Sequence, residues 1–215
     1  TLMLGRSITI NSPAKINLYL HITGKRSNNY HEIDSLAVLT DFGDTLTISS
    51  AKAGQGVQFS IYGPFRNSMG PEEDNLVIRA VDMMLNLCKP SNRDIHFKLT
   101  KRIPVAAGIG GGSSNAAAAL MALNRYWEAK LPPNELMALG CVLGSDVPTC
   151  MSELPIFVSG IGEKIKFANR LPSFSILLIN PSLPLKTHDV FQTFNGKFSS
   201  SGAFKYTSIT VTELC

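Results

Sequence analysis

PVAAGIGGGSSNAAAA, residues 104–119, places a run of glycines directly in front of an alanine-rich, helix-forming segment. Gly108, Gly110, Gly111 and Gly112 have no Cβ, so their backbone can adopt φ > 0 and lie close against an anion. Ser113, Ser114 and Asn115 are candidate caps for the helix that follows. The free N–H groups and positive dipole end of that helix would point at a phosphate held by the loop. Two better-known glycine signatures are excluded. A P-loop needs Lys and then Ser or Thr after its second glycine, and no lysine lies between Arg102 and Ala129. A dinucleotide fingerprint needs GxGxxG, but counting from Gly108 the sixth place is Ser113, and Pro104 interrupts any strand into the loop. A flexible linker is disfavoured by Ile109 among the glycines and by the helix that starts at once. The stretch therefore reads as a phosphate cradle.

With 215 residues, 44% hydrophobic and 17% charged, the chain can bury a substantial core as one domain or two small lobes. Apolar runs such as residues 176–179 fall far short of a membrane span, and residues 1–10 lack the layout of a secretory signal, so a cytoplasmic protein with no membrane partner is expected. Cys88, Cys141, Cys150 and Cys215 show no CxxC spacing, which favours reduced thiols over disulfides or a zinc site. The net charge of +4 comes from dispersed basic residues, which suits an enzyme of anionic small molecules and argues against a nucleic-acid partner. Strands are expected at 45–50, 57–62, 95–100, 156–159 and 174–180, with helices at 76–87, 113–128 and 134–143. Their order is not a clean βαβα alternation, so the fold class is α+β. No internal repeat is visible, and residues 195–202 are the expected boundary or mobile loop. No pattern demands self-association beyond a monomer or weak homodimer.

Two further constellations carry polar chemistry. From residue 14 to 22 the sequence AKINLYLHI alternates, so a strand would put Ile16, Leu18, Leu20 and Ile22 on a core face and Lys15, Asn17, Tyr19 and His21 on the other. That second face is either a row of functional groups or a solvated sheet surface. Tyr30 and His31 follow a turn; they either fill a loop edge or stack on a base. In Gly144-Ser145-Asp146-Val147-Pro148, Gly144 is a natural helix C-cap and Pro148 restricts Val147, so Asp146 sits on a rigid turn. Its carboxylate serves either as a base or as the cap of a short helix.

Taken together and in this order, SPAKINLYLHITGKRSNNYHEIDSL, PVAAGIGGGSSNAAAAL and GSDVP resemble the GHMP kinase superfamily, and within it the branch acting on a cytidine diphosphate methylerythritol. DNLVIRA at 74–80 and NPSLPLKTHDVF at 180–191 extend the resemblance over nearly the whole chain. It implies a ribosomal-protein-S5-like α+β N-terminal lobe, residues 1–152, joined to a ferredoxin-like C-terminal substrate lobe, residues 153–215. The implied reaction is ATP-dependent phosphorylation of the substrate's 2-hydroxyl, a step of non-mevalonate isoprenoid biosynthesis, with Mg²⁺. By similarity, Asp146 takes the hydroxyl proton and Lys15 orients it. Pro104, Val105, Ala106, Ala107, Gly108, Ile109, Gly110, Gly111, Gly112, Ser113 and Ser114 match the ATP-phosphate loop, and Asn75 and Lys101 match positions near the adenosine. Tyr30 and Phe191 match rings that sandwich the cytosine, His31 matches the residue bonded to its edge, Asn17 matches a substrate contact, and Thr187 lies beside the pocket wall. No side chain is singled out as a metal ligand.

Two departures from the family pattern stand out. Ala106 and Ala107 occupy places where many relatives carry glycine; both precede the glycine core, so a modest effect is expected. The pattern also continues beyond Cys215 into a second glycine-rich segment, which SSSGA at 199–203 follows Phe191 too closely to supply, so the resemblance implies an incomplete C-terminal lobe. Three readings result: the active cytidyl-substrate kinase, a GHMP kinase for another small alcohol such as mevalonate or homoserine, and a catalytically impaired nucleotide-binding fragment.

Overall fold

The computed structural model describes residues 6–68, 75–168, 171–180 and 187–200. Asp74, residues 181–186, the end of SSSGA and Cys215 lie outside the described residues. The architecture is α+β, as expected. Its spine is a long antiparallel hairpin, β1 (Ser7–Lys25) against β2 (His31–Ser50), closed by a turn in which Arg26 N–H donates to the Tyr30 carbonyl at 2.8 Å and Asn29 takes φ 67°. β3 (Val57–Tyr62), β4 (Ile95–Thr100), β5 (Ile156–Gly160) and β6 (Lys164–Phe167) complete one six-stranded sheet in the order β3-β4-β2-β5-β6, with β1 pairing β2 off that path. Among the described residues, only β3 and β4 run parallel. β4 pairs residues 45–50 of β2 and β5 pairs residues 33–37, so residues 38–44 lie in neither ladder.

Helices α1 (Leu76–Cys88), α2 (Gly111–Tyr126) and α3 (Pro133–Leu143) share one buried core with Leu46 and Ile48 of β2 and Ile95, Phe97 and Leu99 of β4, α3 packing on α1 and α2. α2 is the central one: Ala116 to Ala119, Leu120, Ala122 and Leu123 are fully buried. Its alanines let the backbone approach the sheet closely, which fixes the helix start, and so the glycine loop, against β1. A short helix, α4 (Thr187–Gln192), follows the sheet.

Several expectations change. α2 begins at Gly111, with Gly110 at φ 71° in the capping position and no side-chain cap bond, so Ser113, Ser114 and Asn115 lie inside the helix instead of capping it. The glycine reaches a left-handed start that a serine would resist. Register shifts at 13/15, 17/19 and 22/24 break the alternation of β1. Leu20 consequently turns 39% exposed, while Leu18 and Tyr19 both pack against the cluster of Leu36 and Ala168. The expected strand at 45–50 is the end of the longer β2, and β6 is an addition. Residues 174–180 join no strand among the described residues, and Leu177 and Ile179 are exposed. β5 and β6 continue the sheet across the 152/153 division that the resemblance implies.

Candidate active site

Ala106, Gly108 and Gly110 have φ of 56°, 74° and 71°, so left-handed residues recur at every second position through the loop. Such alternation turns successive N–H groups into one concavity, an anion nest, that opens onto the start of α2. Ala106 is the unexpected member, holding a conformation that costs a side chain about 1–2 kcal/mol. The loop also leans on β1: Lys15 N–H donates to the Ile109 carbonyl at 2.9 Å, and a Cβ on Gly110 would stand 3.0 Å from the Lys15 Cβ.

Lys15 and Asp146, 131 residues apart, meet here at 2.8 Å between Nζ and Oδ1. The lysine side chain is 8% exposed and the aspartate 46%, so the ammonium is held from below while the carboxylate keeps a face toward the cleft. α3 delivers Asp146. Gly144 ends that helix as expected, its N–H bonded to the Gly140 carbonyl at 3.0 Å, and Val147 N–H returns to the Gly144 carbonyl. The 3-10 turn after it, Thr149–Met151, has no side-chain cap, so the Asp146 carboxylate goes to Lys15 and the capping alternative falls away. Behind the pair, burial above all, then the charge of Asp146, pushes the Cys150 thiol up to about 12, partly offset by Lys15 and Ser114.

Asn75 caps α1, accepting from the Val77 N–H at 2.9 Å, and Leu76 beside it lies 4.0 Å from a Cβ placed on Gly112, which brings this helix start to the loop. Lys101 is 3% exposed and bonded to Asp44 Oδ2 at 2.5 Å, so it is a buried ion pair beneath the loop and not an open cation. Asp44, together with Asn115 and Ser12, is the part of the site that the sequence reading missed. A carboxylate inside an apolar strand pattern, DTLTI at 44–48, was the available signal, because a buried charge needs a partner.

Of the residues expected to meet a cytidyl substrate, Tyr30, His31 and Phe191 lie toward the other end of the hairpin, and Asn17 does not. Asn17 is exposed two residues along from Lys15. Tyr30 is 60% exposed at the turn. The His31 ring stacks on Phe191 of α4 with centroids 5.5 Å apart and planes at 22°, Phe194 meets it edge-on at 6.0 Å, and Ser199 N–H donates to the Ile22 carbonyl at 2.9 Å. Phe191 thus faces His31, and Thr187 opens the helix that carries it. Between the two ends, the Tyr19 hydroxyl donates to Asp34 at 2.9 Å. Burial, then that bond and the Asp34 charge, holds its phenol far above the usual range, so it remains a donor.

A glycine nest at the head of a buried helix, facing a Lys–Asp pair, defines a phosphate-handling class, and the model for the "GHMP kinases N terminal domain" matches residues 75–154. The chain is 44% identical over 183 residues to a 4-diphosphocytidyl-2-C-methyl-D-erythritol kinase of Chelativorans sp. (strain BNC1), covering 85% of this chain and 61% of that protein. It is 40% identical over 195 residues to the protein of the same name from Paramagnetospirillum magneticum, covering 91% and 67%. The described fold superposes on a crystal structure of 4-(cytidine 5'-diphospho)-2C-methyl-D-erythritol kinase with a TM-score of 0.62 and 31% identity, over 77% of this chain and 56% of that one. The chain belongs to the 4-diphosphocytidyl-2-C-methyl-D-erythritol kinase family of GHMP kinases. It spans about three fifths to two thirds of the length of these curated relatives. Among the described residues no helix is long and apolar enough to cross a membrane.

Proposed function

We propose that this chain carries the ATP-binding and catalytic part of a kinase that transfers the γ-phosphate of ATP to the 2-hydroxyl of 4-diphosphocytidyl-2-C-methyl-D-erythritol. The observation that carries the reading is the 2.8 Å Lys15–Asp146 pair, joined through the Lys15 N–H to a loop of left-handed residues. Asp146 accepts the hydroxyl proton as the alcohol oxygen bonds to the γ-phosphorus; the bond from that phosphorus to the β–γ bridging oxygen breaks, and ADP departs with it. Lys15 holds the carboxylate in line and offsets negative charge near the transferring group, while the loop N–H groups cradle the phosphates. Asn75 and the start of α1 flank the adenosine side. Tyr30, His31 and Phe191 hold the cytosine, Asn17 contacts the substrate between the two ends, and Thr187 lines the pocket wall.

The donor set suits a Mg²⁺ that arrives on the nucleotide. Among the described residues no three metal-binding side chains gather, whereas Asp146 and Ser113 offer hard oxygen ligands beside the loop. Bound there, the ion would neutralise charge on the ATP phosphates. The same reading places the enzyme in the cytoplasm and sets the boundary between lobes after Ala168, because β5 and β6 belong to the first sheet. Coupled measurement of ADP release tests it. Turnover is expected with the cytidyl substrate and is lost in Asp146→Asn; faster turnover with mevalonate or homoserine, or turnover that survives the substitution, overturns the assignment.

A further inference from the structure

Asp44 binds the chain on both sides of the phosphate loop. Its Oδ1 accepts the backbone N–H of Arg102 at 2.6 Å and of Ile103 at 2.7 Å, the two residues directly before Pro104. Its Oδ2 accepts Asn115 Nδ2 of α2 at 3.0 Å and Lys101 Nζ at 2.5 Å. Ser12 of β1 donates to the Asn115 Oδ1 at 2.6 Å, so the amide has both ends held. Four donors use the carboxylate's full accepting capacity, and its side chain is 0% exposed.

The placement has a topological cause. Asp44 stands on β2 one residue outside the β4 ladder, which ends at the Thr45–Thr100 pairing; Lys101 N–H still donates to the Tyr62 carbonyl of β3 at 2.7 Å, and Arg102 and Ile103, which follow, turn their N–H groups to Asp44. The Asp44 bonds to Arg102 and Ile103 take over where the ladder stops. Lys101 then lies under the loop–helix junction: a Cβ on Gly111 would come 3.1 Å from its Nζ and 3.0 Å from the Ile103 Cγ2. An ion pair kept only for stability needs Lys101 alone. The three remaining bonds reach the chain entering the glycine loop and the helix leaving it.

The geometry points to Asp44 as a positioning residue for ATP, fixing the separation of the loop's two ends so that the N–H nest is formed before the nucleotide arrives. This inference rests on residues 104–114 being the phosphate loop. Preorganised donors lose no ordering free energy on binding, so loosening either end weakens ATP without removing any atom that touches it.

The experiment compares ATP affinity by calorimetry, and amide exchange over residues 102–114, in the wild type, Asp44→Asn, Asn115→Ala and Asp94→Asn. Asn115→Ala releases the exit end and leaves the buried ion pair intact, so it decides the matter even if Asp44→Asn fails to fold. Asp94 is the control, since its carboxylate accepts two backbone N–H groups, of Gly54 and Gly56, away from the loop. Asn115→Ala is expected to weaken ATP about 5- to 10-fold and to speed exchange in the loop while α1 and β4 stay protected. Asp94→Asn is expected to lower thermal stability with ATP affinity unchanged. ATP affinity within about twofold of wild type in the Asn115 variant overturns the inference alone. A wild type that binds no ATP overturns the phosphate-loop reading, and this inference with it.

Discussion

The two ends of the β1–β2 hairpin are built differently. At the phosphate end, Lys15, Asp44, Lys101, Ser114 and Asn115 are all buried, and their polar atoms are matched within an interlocking set of bonds. At the far end, Tyr30 is exposed, and His31 and Phe191 are half-buried, held by ring contacts and one backbone bond from Ser199. On the proposed function, phosphoryl transfer would draw on fixed charges and donors in a dry setting, as the buried end offers. Base recognition would draw on flat surfaces that a ring can enter, as the rings on the turn and the short helix offer.

This contrast predicts effects that separate by end. Asp146→Asn strikes the chemistry itself: a fall of about 10³-fold or more in kcat is expected with the cytidyl-substrate Kd unchanged, read from ADP release beside calorimetry. Gly110→Ala would sharpen the link between loop and lysine. Its φ of 71° and the 3.0 Å approach to Lys15 predict a loss of about 1–2 kcal/mol in chemical denaturation and roughly 10²-fold in turnover. Phe191→Ala should act only at the far end, weakening the cytidyl substrate about 10-fold or more while ATP binds as before; equal weakening of both ligands would break the division. Ala106→Gly relieves a left-handed alanine and is expected to raise stability by about 0.5–1 kcal/mol, measured by urea unfolding.

The smallest effect concerns Cys150. Burial raises its pKa from 9.0 to about 12, so its neutral thiol favours the folded state, and this contribution is present below pH 9 and is lost as pH rises toward about 12. At pH 8 an alkylating reagent should label exposed Cys141 and spare Cys150 until the protein unfolds. Labelling of both at equal rates would show that the phosphate end is not closed in the way its burial indicates.

The glycine loop and the Lys15–Asp146 end of the molecule were readable because glycine, proline and alanine write local backbone rules into the chain. The glycine run announced the loop, the alanines announced α2, and Gly144 with Pro148 announced the turn that carries Asp146. What escaped was long-range. Asp44 looks like part of a turn in DFGDT, and only pairing across 57 to 71 residues makes it the anchor of the loop. The register shifts in β1 have no local signature, which is why Leu20 was placed on the wrong face. Residues 174–180 carry a strand's composition but join no strand among the described residues, since β-propensity describes fitness for a pleated surface and does not create one.

The hydrogen bond from the Lys15 N–H to the Ile109 carbonyl has a thermodynamic corollary. One strand residue touches the nucleotide loop through its main chain and the proton acceptor through its side chain. On the proposed assignment both ligands would bear on the same residue, and a heterotropic linkage between their affinities is the expected result. Whatever factor ATP contributes to holding the alcohol, the alcohol must return to ATP.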